Sequence, residues 1–426
     1  MPRRRWRIAW LLGIGVLVNY FDRVNLSVSH DSLVAAFAIS NITFGYLASA
    51  YNLTYAFCQL PIGWLLDKFG VRRIGRIGIF LWSLASFAAA ITPNLGGLFG
   101  ARLLLGVGEA PTFPANAKAV GLWFPPQERS LSTAIFDAAA KFSSAIGVPL
   151  IGFALVFAGW RWSFTLTGVL SLVYLAYFWH VYKDPADDPD LSAAERSFIE
   201  ESSAGSKAGD QFDEQPTSLF RLLMQRKVLG LAIGFGSYNY VFYLLLTWLP
   251  SYLSFALHVD LLHSFMYTTV PWIFATITDI VVGGWLVDFL VQRGWNASLV
   301  RRVILIGGTA FGLGILGAGH AHTATRALVW ISISIGGLAA AAPVGWSLPS
   351  LIAHRNDVGK VGGIVNLSNQ ISGISAPIVT GYLVTAFHSY AWAFGVAAAY
   401  LSVGIAAYIF MLGKIERMPD QPHLNS

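Results

Sequence analysis

About twelve apolar segments, each long enough to cross a lipid bilayer, recur along the 426 residues: near 7–29, 42–66, 74–93, 96–123, 130–154, 160–182, 228–253, 262–289, 302–319, 325–352, 359–386 and 390–413. A spanning helix needs about 20 such residues, because hydrocarbon offers the backbone N–H and C=O groups no partner and the segment must satisfy them itself. A chain patterned this way is expected to fold as an all-α membrane bundle. Composition agrees, with 55% hydrophobic residues, 12% charged and a mean hydropathy of +0.58, where soluble domains carry about a quarter charged. Many Trp and Tyr fall near the ends of apolar runs, where amphipathic rings favour the headgroup layer. The single cysteine, Cys58, excludes an intrachain disulfide. The start, "MPRRRWRIAW", is basic like that of a signal peptide, but its apolar run is too long and lacks a small-residue cleavage site, so it reads as a retained first span.

Charge then sets the expected orientation. With the N-terminus on the cytoplasmic face, 22 of the 28 Lys and Arg fall on that side, Arg161 and Arg326 fall opposite, and Arg23, Arg102, Lys118 and Lys141 lie within spans. This asymmetry places both termini in the cytoplasm. It also accounts for the net charge of +6 without nucleic acid, for which no soluble basic domain exists. The one long polar connection, about 183–227, contains "LSAAERSFIEE", where Ser192 and Glu195 have the spacing of a capping box that starts a short surface helix. It divides the chain into a six-helix bundle over 1–185, a linker over 186–220 and a second six-helix bundle over 221–426.

The halves share a motif. "GWLLDKFGVRR" at Gly63 to Arg73 recurs as "GWLVDFLVQRGWNASLVRR" at Gly284 to Arg302, each at the cytoplasmic end of the second span of its half. That is the mark of a duplication. Gly63 and Gly284 would let helices approach closely, while Asp67 and Asp288, with Arg72, Arg73 and Arg302 nearby, would form a cytoplasmic clasp that holds one conformation. The alternative is a tight turn with orientation-setting charges.

Ionisable groups inside spans cost at least a few kcal/mol each and so face a bundle interior or a cavity. Besides Lys118 they include Asp22 and Arg23 on the first span, Arg102 and Glu109 on the fourth, Asp137 and Lys141 on the fifth, and Asp279 on the eighth. Arg102 and Glu109, seven apart, share a helix face. Adjacent Asp22 and Arg23 point about 100° apart and should serve different partners. One reading makes these four an interhelical salt-bridge network. The other gives the arginines an anion to hold, since a guanidinium fork grips a carboxylate bidentately, and gives Asp22 and Glu109 protons to carry. An anion competing for the arginines then favours proton uptake on the carboxylates, and the two travel together.

"NYFDRVN" (19–25), "GWLLDKFGVRR", "RLLLGVGEAPTFPANAKAVGLWFPPQERS", "TWLPSYL" (247–253), "GWSLPSLIA" and "GGIVNLSNQISG" together resemble a major facilitator superfamily transporter. The likeness is to the bacterial anion:cation symporter branch, which includes D-galactonate, glucarate and hexuronate porters, with sialin and the vesicular glutamate transporters as distant relatives. It implies Asp22 and Glu109 as proton-coupling groups, and Arg23, Tyr55, Arg102, Trp346 and Asn366 as substrate contacts. From their residue types alone, Tyr55 and Trp346 can equally be packing aromatics and Asn366 an interhelical hydrogen bonder. The fifth span departs from the family pattern. "IFDAAAKFS" places Asp137 and Lys141 four apart on one face, either adding Lys141 as a substrate cation or merely neutralising it.

The resulting expectation is a proton-coupled symporter in the bacterial inner membrane, monomeric, without cofactor or metal, whose partners are a small organic anion, the proton and lipids. A hexonate, glucarate or hexuronate is the expected cargo. Another carboxylate, such as an aromatic or dicarboxylic acid, anion exchange, or a non-transporting receptor on the same fold are the alternatives. "GLGILG" (312–317) fits a dinucleotide fingerprint only in spelling, since no strand precedes it, and reads as helix packing. "GVPLIG" (147–152) is an incomplete antiporter motif. No Walker motif and no metal-spaced histidines occur, so the chain is not expected to be an enzyme or to draw on ATP.

Overall fold

The computed structural model describes residues 4–125, 128–199, 218–354 and 357–418, which are all helix, turn and connecting loop without a strand. Most of the polar linker, 200–217, lies outside the described residues. The helices are α1 (Arg4–Val28), α2 (His30–Phe37), α3 (Asn41–Ile91), α4 (Leu95–Glu109), α5 (Thr112–Trp123), α6 (Arg129–Ala158), α7 (Trp160–Val181), α8 (193–199), α9 (Leu219–Met224), α10 (Arg226–Ser251), α11 (Leu261–Thr278), α12 (Val287–Gln292), α13 (Ala297–Gly312), α14 (Ile315–Gly319), α15 (Ala324–Ile352), α16 (Val358–Phe387) and α17 (Ala391–Ala406). Wider π turns continue α10 over Tyr252–Ala256, join α11 to α12 over Asp279–Leu286 and extend α17 over Ala407–Leu412.

Among the described residues nine helical stretches are long and apolar enough to cross a membrane, or ten if the α2–α3 pair, bent by 117°, counts as one span. The protein is a multi-pass membrane protein. The remaining expected spans fall short for a physical reason. The first, α1, carries Arg4, Arg5, Arg7, Asp22 and Arg23, and the fourth is split at Ala110 and Pro111 into α4 and α5. The gap between the first two expected spans is filled by α2. The second and third spans run together as α3, broken only at Gly70, whose φ of +75° suits glycine and little else. Gly294, in the second copy of the motif, has φ +88° and likewise stands between the Asp and the Arg pair.

Local chemistry sets several starts: the side chains of Ser40, Asn94 and Asn296 accept the backbone N–H three residues on. The capping box works differently from its spacing. Ser192 Oγ does accept the Glu195 N–H at 3.3 Å, but the Glu195 carboxylate reaches back to the start of α1. It accepts the Arg4 and Arg5 N–H groups at 3.2 Å each and the Arg5 guanidinium at 2.7 Å. Four orphan N–H groups and the positive end of a helix dipole, reinforced by an arginine, outbid the carboxylate's own helix. Arg4 is held in turn by Asp188 at 2.9 Å and the Val181 carbonyl at 2.9 Å.

Two compact units divide the chain: Met1–Phe212 with Leu244–Ile273 and Ile374–Tyr390, and Asp213–Tyr243 with Phe274–Gly373 and Ala391–Ser426. In the first, α3 packs on α4 and α7, and α1 on α6 and α7. Its later segments are pinned by backbone carbonyls: Ser27 donates to Thr247 O at 2.7 Å and Ser49 to Ile374 O at 2.7 Å. The His30 ring sits against Phe44 and Trp248, with centroids 4.5 and 5.3 Å away. In the second, α15 packs on α13, α14 and the π turn over Asp279–Leu286, and Ser334 donates to Gly312 O at 2.7 Å.

Close approach of α4 to α3 brings the fourth-span charges to the tyrosines of the second. A Cβ at Gly108 would lie 2.6 Å from the Trp82 nitrogen, and one at Gly106 would run into the Tyr51 carbonyl and Thr54 hydroxyl. Gly108→Val is therefore expected to destabilise the protein by about 1–3 kcal/mol through overpacking, read as a lower unfolding temperature in detergent; an unchanged midpoint would contradict this packing.

Candidate functional site

The charges of the first and fourth spans converge inside the first unit. Asp22, Arg23, Arg102 and Glu109 are all buried. Arg23 Nε donates to Glu109 Oε2 at 3.0 Å, and its Nη2 donates to Asn19 Oδ1 at 3.1 Å. Its guanidinium carbon lies 4.3, 4.8 and 5.5 Å from the ring centres of Tyr20, Tyr51 and Tyr55. An aromatic wall of this kind stabilises a cation without neutralising it.

Asp22 points elsewhere, as its 100° offset from Arg23 requires. Ser86 Oγ donates to its Oδ1 at 2.6 Å and Ser171 Oγ to its Oδ2 at 3.3 Å. Arg102 is the underused member. Its guanidinium touches the Asp22 carbonyl at only 3.5 Å and lies 5.3 Å from the Tyr51 ring centre, and its Nε has no hydrogen-bond partner among the described residues. The four charges thus make one ion pair, one carboxylate held by hydroxyls and one buried guanidinium with a donor to spare. Of the interhelical salt-bridge network that residue types alone allow, the pair between Arg23 and Glu109 is present.

The comparisons with known proteins bear on the whole chain. The family model described as Major Facilitator Superfamily matches residues 12–299. The chain belongs to the major facilitator superfamily. It is 38% identical over 415 residues to the "Uncharacterized transporter YybO" of Bacillus subtilis (strain 168), covering 97% of this chain and 95% of that one. It is 31% identical over 430 residues to the "Probable galactarate/D-glucarate transporter GarP" of Escherichia coli (strain K12), covering 98% and 96%. In fold it is similar to a bacterial homolog of the human lysosomal transporter Spinster, with a TM-score of 0.76, 14% identity and coverage of 96% and 97%. The chain is accordingly a transporter and not an enzyme.

Other residues expected at the site of this major facilitator transporter fall in several places. Lys141, buried on α6, donates from Nζ to Asp137 Oδ2 at 3.2 Å. Trp346 and Asn366 belong to the second unit. Trp346 is 46% exposed and meets Phe235 edge-on at 5.0 Å, and Asn366, on α16, is half-buried. Asp279, also in that unit, is buried where the π turn begins.

The two motif copies meet their expected contacts unevenly. Lys118 Nζ donates to Asp67 Oδ1 at 2.6 Å and to the Leu66 carbonyl at 2.8 Å, but Asp67 is 80% exposed, so the pair is worth little. Asp184, just beyond α7, faces Arg72 and Lys118; burial raises its pKa, and these cations oppose the rise. Arg73 and Asp288 are exposed, and Arg302 donates to the Ile409 carbonyl at 3.3 Å. Among the described residues neither motif glycine, Gly63 or Gly284, lies against another helix. A Cβ at Gly63 would meet nothing within 4 Å among the described residues, and one at Gly284 only the Asp279 carbonyl at 3.8 Å. Gly283 is the residue that faces a neighbour, since a Cβ there would lie 2.6 Å from the Ala340 carbonyl, because the wider π turn rotates the helix face. "GLGILG" is helix packing, as expected: a Cβ at Gly312 would lie 2.8 Å from Leu338, though a turn at Leu313 interrupts the helix.

Sequence reasoning passed over Tyr20, Tyr51, Ser86 and Ser171. The tyrosines left a signal, since Tyr51 and Tyr55 are four apart and share a helix face, and Tyr20 stands inside "NYFDRVN". The serines left none; they lie 64 and 149 residues from Asp22.

Proposed function

We propose that this transporter is a symporter that couples protons to a sugar acid, a hexonate, glucarate or hexuronate, and imports it across the bacterial inner membrane. In this reading the chain has twelve spans in two six-helix halves, over 1–185 and 221–426, with both termini cytoplasmic, and works as a monomer. The carrying observation is the buried Arg102 guanidinium with an unmet Nε donor, next to an Arg23 already engaged by Glu109. A buried guanidinium with no carboxylate hydrogen-bonded to it is costly unless one arrives to complete it. The galactarate/D-glucarate relative supports the choice of cargo.

An incoming carboxylate takes the Arg102 fork and competes with Glu109 for Arg23. Glu109, deprived of its counter-charge in a dry site, then binds a proton. The proton and the anion thereby stabilise each other, which is the thermodynamic content of symport. Asp22, held by hydroxyls and not by a guanidinium, is the second proton-coupling group. Trp346 and Asn366 contact sugar hydroxyls, and the motif residues from Gly63 to Arg73 and from Gly284 to Arg302 act as cytoplasmic gate elements.

Purified protein in liposomes with an inward proton gradient tests this directly: accumulation of labelled galactarate, D-glucarate or D-galactonate is expected, and no accumulation of any of them removes the reading. Lys141 enters as the cation for a second carboxylate, with Asp137 as its partner between loads. Lys141→Gln is expected to weaken binding of a dicarboxylate about tenfold, the worth of one charge-assisted contact, and to leave a monocarboxylate nearly unaffected. Equal loss for both would make Lys141 structural.

A further inference from the structure

The interior of the first unit holds a cavity that the anion site does not use. Gly15 of α1, Trp82 of α3, Thr112 and Asn116 of α5, and Tyr174 and Phe178 of α7 are among its walls. The space open to the centre of a water molecule is about 20 Å³, room for one or two waters at the usual need of about 10–15 Å³ each. Three side chains on its wall are more than nine-tenths buried and keep a polar atom without a partner among the described residues: Trp82 Nε1, Asn116 Nδ2 and Thr112 Oγ1. Two N–H donors and a hydroxyl around a space of this size suit water, which needs two to four polar partners.

Its position relative to Asp22 follows from helix register. Trp82 is four residues from Ser86, and Tyr174 is three from Ser171, two hydroxyls that hold the Asp22 carboxylate. Gly15 is seven residues from Asp22 itself, so each pair lies on one helix face. At 1.5 Å per residue the cavity sits about 5–10 Å from Asp22 along the bundle. On α3 and α7 the lining positions closest in register to those hydroxyls are Trp82 and Tyr174, whose parallel rings lie 6.3 Å apart. Farther along, Phe178 stands one turn from Val181, whose carbonyl binds Arg4, so the cavity runs toward the end of the unit that carries the N-terminus. Ser86 has a choice of acceptor, Asp22 Oδ1 at 2.6 Å or the Trp82 carbonyl at 3.2 Å, and can therefore turn to accept a proton from Asp22.

We propose that this cavity holds ordered water and is the route by which Asp22 exchanges its proton with the aqueous phase on the N-terminal side, separate from the path of the anion. The inference rests on Asp22 as a proton-coupling group. A proton leaves the Asp22 carboxyl for the Ser86 hydroxyl or the nearest water, which passes on one of its own; only O–H bonds are broken and made, and the carboxylate keeps the charge.

The test separates proton release from anion handling. In counterflow a fully loaded carrier exchanges labelled for unlabelled anion without giving up its proton. Thr112→Val with Asn116→Leu, which dries the wall, is expected to slow proton-gradient-driven uptake of the best-bound sugar acid about tenfold and to leave counterflow within about twofold. Driven uptake unchanged in the double variant means that the water is structural only and overturns the inference. If the double variant loses counterflow as well, the decision passes to Thr112→Val alone, which keeps the side-chain shape: driven uptake lowered about threefold with counterflow intact supports the route, and no lowering overturns it. A wild type that ignores the gradient removes the symport reading, and the inference with it; a driven wild type beside equally driven variants removes the inference alone.

Discussion

Glu109→Gln is expected to abolish uptake driven by a proton gradient, by at least about a hundredfold, while counterflow of the same anion continues and its dissociation constant shifts by no more than a few-fold. The glutamine keeps the volume of the side chain and an oxygen for Arg23 Nε, now at 3.0 Å from Glu109 Oε2, but it cannot take up or release a proton. The cycle then lacks the step that returns an unloaded, deprotonated carrier, whereas exchange of bound anion needs no such step. Anion binding is spared because the change removes a competitor for Arg23. Should the variant lose binding and thermal stability together, Glu109 is a structural counter-ion and the proton role fails.

Arg102→Met is expected to weaken anion binding by about 3 kcal/mol or more, roughly a hundredfold, as truncation of a buried charge partner does. Its unloaded unfolding temperature should hold or rise. The reason is the incomplete hydrogen bonding of Arg102: a guanidinium with an unmet Nε and, among the described residues, one long hydrogen bond of 3.5 Å contributes little once its desolvation is counted, and an apolar side chain of similar length packs as well. Arg23→Met should behave oppositely, costing about 3–5 kcal/mol because it takes from the buried Glu109 carboxylate the guanidinium paired with it at 3.0 Å. Titration by fluorescence or calorimetry, beside thermal unfolding of the unloaded protein, checks both. Loss of stability in Arg102→Met without loss of affinity would show that this arginine belongs to the scaffold.

Much of the site was legible because charge inside a membrane is rare and expensive. Asp22, Arg23, Arg102 and Glu109 stand out of apolar runs, and their helical offsets already require that Asp22 and Arg23 part company. The tyrosines around Arg23 were half legible from their spacing. Other features had no linear trace. Glu195 looks like the far end of its own capping box, yet it caps α1, 190 residues away. The motif glycines look like the points of close approach, yet the π turn hands that role to Gly283. Asp137 and Lys141, by contrast, pair as their spacing allows.

By itself the sequence determined a helical membrane protein, the approximate place of its spans and the residues whose charge has to be sheltered, because each of these follows from the transfer of single side chains and backbone groups out of water. Which carboxylate holds which arginine, which serines hold Asp22 and that Arg102 keeps a donor in reserve were decided only by the tertiary structure. Hydrogen bonds act over about 3 Å, and only packing of helices remote in the chain can place two groups that close.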